Sequence, residues 1–127
     1  MVSSTTGSIE VRVRPEYKPE HSTPHSRGYV FAYHVCIINH GQLPIRMTRR
    51  QWFIADGPVI RREVSGEGLV GEYPEILPGG QHEYSSYCPI VNPLGRMHGF
   101  FLGHLPSGEK LRVEVPAFTL VAPFILS

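Results

Sequence analysis

The sequence has few cysteines, little net charge and no long apolar run, and each shortage excludes a class of protein. Two cysteines, Cys36 and Cys88, in 127 residues are too few for a secreted scaffold built on disulfides. A formal net charge of +1 is too small to hold nucleic acid through bulk electrostatics. No apolar run approaches the ~18 residues of a membrane-spanning helix. We therefore expect neither a nucleic acid nor a membrane as partner.

Residues 1–7 also lack features that would direct or order them. They contain neither a basic region nor an apolar run, so we expect no export signal. The expected compartment is then the reducing cytoplasm, where Cys36 and Cys88 stay free thiols. Since chain termini are commonly poorly ordered, we predict a flexible N-terminal tail over residues 1–7 and one domain over residues 8–127.

The sequence is rich in chain breakers and in short alternating segments. Its 13 glycines and 12 prolines disfavour long helices. Apolar and polar residues alternate at 9–14 and 110–115, and turn signals recur about every 10 residues. Residues 29–38 are apolar on both faces, which is typical of a central strand covered twice or of a subunit contact such as a homodimer. The pattern predicts an all-β fold, an antiparallel β-sandwich of seven to eight strands.

Two details of the strands are open to interpretation. In the segment 45–55, Met47 and Phe53 alternate on one face, and Trp52 and Ile54 on the other. We favour Trp52 and Ile54 inward because the indole has the most area to bury. Pro116 cannot donate to a sheet ladder, so it predicts a bulge, an edge or a change of sheet.

A glycine-rich stretch at the middle of the chain carries the only hint of chemistry. Gly66, Gly68 and Gly71 match the G-x-G-x-x-G fingerprint of dinucleotide-binding folds. That fingerprint needs a helix directly after it, whose N-terminus binds the pyrophosphate. Pro74 and Pro78 leave no room for such a helix. We therefore expect a shaped loop at the corner of the sandwich.

Two alternative binding functions of the loop stay open, each with weaker support from the sequence. Its backbone amides can form a nest that binds pyrophosphate or a nucleotide, with help from Arg50 or Arg62. Glu67 and Glu72 can attract a divalent cation, although no metal-ligand spacing occurs and we expect no resident metal.

The residues after the glycines are suited to contacts with another protein. Tyr73, Pro74, Ile76 and Leu77 place aromatic and aliphatic side chains on a proline-stiffened loop, so little entropy is lost on docking. No nucleophile elbow or acid–base pair with meaningful spacing occurs, so we expect neither catalysis nor a cofactor.

Seven motifs, taken in order, resemble the ApaG family over residues 8–124. They are Phe31-Ala32-Tyr33, Arg50-Gln51-Trp52, residues 64–74 (V-x-G-E-G-L-V-G-E-x-P), Leu77-Pro78-Gly79, Tyr84-Ser85-Ser86, Gly95-x-Met97-x-Gly99 and Val113-x-Val115-Pro-x-Phe118-x-Leu120. Gln51 stands where the family usually has an aromatic residue or histidine, and Leu69 where it usually has valine.

The resemblance implies an immunoglobulin or fibronectin III-like β-sandwich, in agreement with the strand count. Bacterial members are associated with cobalt and magnesium efflux. Related domains in eukaryotic F-box and polymerase-interacting proteins look like protein-interaction modules, and pyrophosphate binding has been suggested at the glycine loop. We therefore expect a non-enzymatic binding module with a protein partner. The alternative is pyrophosphate, nucleotide or divalent-cation binding at residues 66–71.

Overall fold

The residues that the structure describes form nine β-strands. The structure, a computed structural model, describes residues 1–23 and 28–123. The strands are β1 (Val2–Thr6), β2 (Ile9–Tyr17), β3 (Tyr29–Asn39), β4 (Ile45–Asp56), β5 (Ile60–Glu67), β6 (Glu75–Ile76), β7 (Gln81–Ile90), β8 (Leu94–His104) and β9 (Lys110–Val121). A short 3₁₀ turn covers Pro19–His21. Among the described residues, no helix is long and apolar enough to cross a bilayer.

The strands form two antiparallel sheets that pack face to face. One has the order β1-β2-β3-β7 and the other β5-β4-β8-β9, with β6 paired to β4. Without β1, these orders correspond to the A-B-E and C′-C-F-G sheets of a fibronectin III-like sandwich. Trp52 lies at the centre of the core, with its ring against Tyr33, Phe101 and Phe118 at centroid distances of 5.2–6.0 Å. The predicted β-sandwich is confirmed, with nine strands in residues 1–23 and 28–123 in place of the seven or eight expected.

The predicted N-terminal tail is ordered. Residues Val2–Thr6 form β1, which pairs with β2 at the edge of its sheet. The Ser4 hydroxyl donates to the Glu114 carbonyl, and the Glu114 amide donates to the Thr6 hydroxyl, both at 3.0 Å. The prediction of a flexible tail is therefore wrong for Val2–Thr6. Hydroxyl side chains of β1 hydrogen-bond to β9, the edge strand of the other sheet, and so order a segment that has little apolar surface to bury.

A bulge decides which face of β4 is buried. The register with β8 shifts between Met47 and Arg49. Met47, Trp52 and Ile54 are all buried, although Met47 has the opposite parity to the other two. The choice of Trp52 and Ile54 inward is confirmed, and Thr48 absorbs the extra residue. Alternation from Trp52 also turns Arg50 towards the interior.

The strand that is apolar on both faces is central in its sheet. β3 lies between β2 and β7, which confirms its central position in the sheet. On its outer face Ala32 and Ile38 are buried, and His34 and Cys36 are half-buried. This face therefore offers little exposed apolar area for a partner or a second copy.

Pro116 lies at a second irregularity. The register of β8 with β9 shifts between Met97 and Gly99, opposite Pro116 and Ala117. Of the bulge, edge or change of sheet predicted for Pro116, the structure shows the first two, because β9 is also the edge strand of its sheet. Neither position needs an amide donor from Pro116.

Candidate functional site

The glycine stretch forms a tight hairpin at the end of β5. The Leu69 amide donates to the Glu72 carbonyl at 2.7 Å, and the Glu72 amide donates back to the Leu69 carbonyl at 3.3 Å. The two residues between them, Val70 and Gly71, have φ of 51° and 83°. Positive φ at both central positions is the type I′ geometry, which matches the twist of paired strands. No helix occurs in residues 72–80, as the prolines predict.

Amides at the base of the hairpin are used within the protein. The Gly68 amide donates to the Thr48 carbonyl at 2.7 Å, and the Leu69 amide is bonded across the turn. An anion nest requires consecutive amides that converge on open space. These bonds weaken the anion-binding alternative at the glycines.

Arg50 holds the hairpin by donating to two of the hairpin's carbonyl groups. Its Nη1 donates to the Glu67 carbonyl at 2.9 Å and to the Gly68 carbonyl at 3.3 Å. A Cβ on Gly66 would lie 2.6 Å from the Arg50 Nη2 atom. Gly66 therefore makes room for the guanidinium, which donates to carbonyl groups of the hairpin.

Arg62 lies away from the other candidate residues. Its Nη2 donates to the Pro89 carbonyl and to the Cys88 sulfur, and Nη1 lies 3.7 Å from the buried Asp56 carboxylate. Arg62 and Gly66 are four residues apart on one strand, which separates them by ~13 Å. The structure thus brings Arg50, Gly66 and Gly68 together, and it places Arg62 at the opposite end of β5.

The candidate partner-binding residues divide into exposed and buried ones. Tyr73 and Leu77 are 48% and 59% exposed, and Pro74 is half-buried. Ile76 is 2% exposed and belongs to the core, so its assignment to a partner surface is wrong. The error has a simple cause: Ile76 lies in β6, which pairs with β4 and turns this side chain inward.

Sequence reasoning missed Val70, the residue at the tip of the hairpin. Its side chain is 48% exposed, and it is the one non-glycine residue with positive φ among the described residues. The signal was available, because a two-residue turn ending in glycine needs positive φ at the preceding position too. Val70, Tyr73 and Leu77 are named here the apolar tip.

Hydrogen bonds fix the backbone beneath the apolar tip. Arg46 donates to the Tyr73 carbonyl at 2.7 Å, and the Met47 amide donates to the Pro74 carbonyl at 3.0 Å. The fully buried Asn39 side chain donates to the Ile76 carbonyl at 2.9 Å. The tip is therefore preorganised, which lowers the entropy lost on binding.

The carboxylates around the hairpin have basic neighbours. Glu67 lies 2.7 Å from Arg49, Glu75 lies 3.6 Å from Arg46, and Glu72 lies 3.7 Å from His82. In residues 1–23 and 28–123, no three His, Cys, Asp or Glu side chains are grouped so that they could hold a metal ion. The cation alternative at Glu67 and Glu72 is weakened, because Arg49 already neutralises the Glu67 carboxylate.

Sequence reasoning also missed a hydrogen-bonded Ser–His–Glu series on the β1-β2-β3-β7 sheet. His34 Nδ1 lies 2.6 Å from Ser85 Oγ, and His34 Nε2 lies 2.9 Å from Glu16 Oε1. Hydrogen bonds from His34 and then Lys18 lower the pKa of Glu16. These residue types occur in nucleophilic catalysis, but here they lie on the outer face of a sheet, and the series by itself supplies no oxyanion donors.

Comparison with known proteins identifies the family. The family model described as ApaG domain matches residues 19–104. Proteins named ApaG from Sinorhizobium fredii and Rhizobium meliloti are 41% and 42% identical over 123 residues, covering 97% of this chain and 95% of each relative. The crystal structure of the ApaA protein from Bordetella pertussis has a TM-score of 0.87 and 38% identity, covering 97% of this chain and 98% of that one. The chain therefore belongs to the ApaG domain family.

Proposed function

We propose that this chain is a non-enzymatic binding module that docks a protein partner through the apolar tip. The observation that carries the proposal is Val70, a β-branched residue with φ of 51° and half of its side chain in solvent. A left-handed backbone costs such a residue about 1–2 kcal/mol, and asparagine or glycine would avoid most of that cost. Strain combined with exposed apolar surface is typical of a contact site.

The chemistry of the partner follows from the surroundings of the tip. Val70, Tyr73 and Leu77 each expose apolar surface, which an apolar depression on the partner would bury. Glu72 is exposed beside them, and within the described residues its one basic neighbour is His82, at 3.7 Å. A depression bordered by lysine or arginine therefore fits this surface best.

The association of bacterial ApaG proteins with cobalt and magnesium efflux is compatible with this proposal. A module of this kind would influence efflux by contacting another protein, and it would not need to hold the ion itself. Cys36 and Cys88 are free thiols, which supports our placing the module in the reducing cytoplasm.

Site-specific photocrosslinking tests the proposal. A benzophenone side chain at position 73 samples the tip, and the same group at position 87 is the control, because Tyr87 is 60% exposed on the outer face of the other sheet. We expect a discrete crosslinked species from position 73 alone. Identical products from both positions would overturn the proposal.

Val70→Asn provides the matched variant. Asparagine tolerates positive φ and completes an Asn-Gly turn, so the variant should gain about 1 kcal/mol of stability. The same change removes the apolar side chain at the tip, so the crosslinked species from position 73 should be lost. Retention of that species in a stabilised Val70→Asn protein would exclude the tip as the contact.

A further inference from the structure

An open groove lies on the outer face of the β5-β4-β8-β9 sheet, away from the apolar tip. Its volume is about 910 Å³. The side chains that matter for its chemistry are Phe53, Ala55, Arg61, Glu63, Arg96 and His98. Phe53 and Ala55 on β4 and Arg96 and His98 on β8 alternate with buried residues, which turns them to the outside. Arg61 and Glu63 on β5 are the register partners of Ala55 and Phe53, so they lie on the same face.

Strand register places two arginines on either side of a small residue. Ala55 is the partner of Arg61 on β5 and of Arg96 on β8. Neighbouring strands are about 4.8 Å apart, so the two arginines start ~10 Å from each other with only a methyl group between them. Both guanidinium groups can reach over Ala55, and together they can hold a phosphate from two sides.

These two arginines are available for a ligand. In the described part of the chain, no carboxylate lies within 4.0 Å of either guanidinium, whereas Arg12, Arg46, Arg49 and Arg112 all have one. Arg61 makes only contacts of 3.2–3.3 Å to the carbonyl groups of Ile60 and Gly57. Arg62, which also borders the groove, is bonded to Pro89 and Cys88 at the edge of the sheets.

The next row of the same face is aromatic. Phe53 and His98 are register partners, and their rings are stacked at a centroid distance of 5.1 Å and an angle of 20°. This row is two residues further along the strands, ~7 Å from the arginines. The bulge of β9 places Ala117 beside His98, so space remains next to the exposed imidazole.

We propose that this groove binds a nucleoside phosphate. The phosphate lies between Arg61 and Arg96 over Ala55, and the base stacks on the Phe53–His98 pair. The ~7 Å between the two rows is comparable to the span from the phosphate to the base across a ribose. Glu63 is the register partner of Phe53, and its carboxylate can accept hydrogen bonds from the ribose hydroxyls.

The arrangement favours a ligand with both parts over either part alone. Two exposed guanidinium groups bind a simple anion weakly in water, and an exposed aromatic pair binds an uncharged ring weakly. A ligand that joins the two gains from both contacts and loses its translational freedom once. The proposed site does not depend on the glycine hairpin or on the protein partner.

Titration of the full chain with AMP, followed by backbone amide shifts, tests the proposal. Adenosine and ribose 5-phosphate are the matched probes, each lacking one of the two parts. We expect saturable shifts confined to residues 53–55, 61–63 and 96–98, with AMP at least about tenfold tighter than either fragment. Shifts elsewhere, no saturation, or equal affinity for AMP and ribose 5-phosphate would overturn the proposal.

Exposed side chains allow variants that leave the core intact. Arg61→Ala and Arg96→Ala should each weaken AMP binding by about tenfold, and His98→Ala should remove the advantage of AMP over ribose 5-phosphate. Arg14→Ala is the control, because Arg14 is an exposed arginine on the outer face of the other sheet. Equal losses in Arg14→Ala and Arg96→Ala would indicate nonspecific charge attraction and would reject the site.

Discussion

Asp56 and Asn92 join two turns at one end of the sandwich: the turn between β4 and β5 and the turn between β7 and β8. The Asp56 carboxylate accepts hydrogen bonds from the Asn92 amide at 2.9 Å and from its side-chain nitrogen at 3.0 Å, and Asn92 Nδ2 also donates to the Asp56 carbonyl at 3.2 Å. The second carboxylate oxygen accepts from the Val91 amide at 2.8 Å. Since the Asp56 side chain has no exposed surface, these bonds are its substitute for water.

Asp56→Ala should be strongly destabilising. It removes a fully buried carboxylate that accepts from the Val91 and Asn92 amides, and we expect a loss of about 3 kcal/mol in the free energy of unfolding. Urea denaturation measures it. The control is Glu109→Ala at an exposed turn, which should change stability by less than about 0.5 kcal/mol. Similar losses in the two variants would contradict the role of Asp56.

The acid sensitivity of the fold should depend in part on Glu10. Hydrogen bonds from Arg12 and then from His40 lower the pKa of Glu10 to about 2 from the ordinary value of 4.5. A carboxylate with a lowered pKa stabilises the folded state above its ordinary pKa, and that contribution is lost as the pH falls from about 4.5 to about 2.

Glu10→Gln should therefore reduce the melting temperature at pH 7 and lose less stability than the parent protein on acidification. Melting curves from pH 7 to pH 2 measure the difference, which should shrink across this window. A constant difference between the two proteins at every pH would show that the Glu10 charge is not the cause.

The glycines of the hairpin should differ in their tolerance of a side chain. Gly68 and Gly71 have φ of 63° and 83°, so alanine is strained at both. A Cβ on Gly68 would also collide with the Glu72 carbonyl, whereas nothing lies within 4 Å of one on Gly71. We expect Gly71→Ala to cost about 1 kcal/mol and Gly68→Ala at least twice as much in urea denaturation. Equal costs would contradict the described turn.

Pyrophosphate should not bind at the glycine hairpin. The Gly68 and Leu69 amides donate within the protein, and Arg50 is bonded to the Glu67 and Gly68 carbonyls. Titration with pyrophosphate should therefore leave the amide signals of residues 66–71 in place. Saturable shifts there would revive the anion-binding alternative and would require the Arg50 contacts to open.

Ser85 should be unreactive as a nucleophile despite its hydrogen bond to His34. On an exposed sheet face, a tetrahedral intermediate would lack preorganised oxyanion donors. We expect a fluorophosphonate probe to label native and His34→Ala protein equally slowly, as read by mass spectrometry. Rapid labelling of Ser85 that His34→Ala abolishes would contradict the expectation of a non-enzymatic protein.

Much of the fold could be predicted from short stretches of the sequence. Alternation of apolar residues and frequent breakers specify strands and turns through neighbouring residues alone, so the sandwich and the inward position of Trp52 were predictable. β1 was not predictable, because Ser4 and Thr6 are held by Glu114, which is more than 100 residues away in the chain.

The candidate site was predicted only in part, for the same reason. Arg50, Gly66 and Gly68 do meet, but the role of Arg50 depends on a bulge at Thr48 that shifts the parity of β4. Ile76 resembles its exposed neighbours in sequence, and only its pairing with β4 buries it.

By itself, the sequence determined that this chain forms strands and that prolines exclude a helix after Gly71, since both depend on local backbone sterics. The tertiary structure decided which groups face each other. It turned Arg50 onto carbonyl groups, placed Val70 at a strained tip, and set Arg61 and Arg96 on either side of Ala55. Those relationships come from strand register and turn geometry, which are fixed by pairing between distant segments and by packing around the common core.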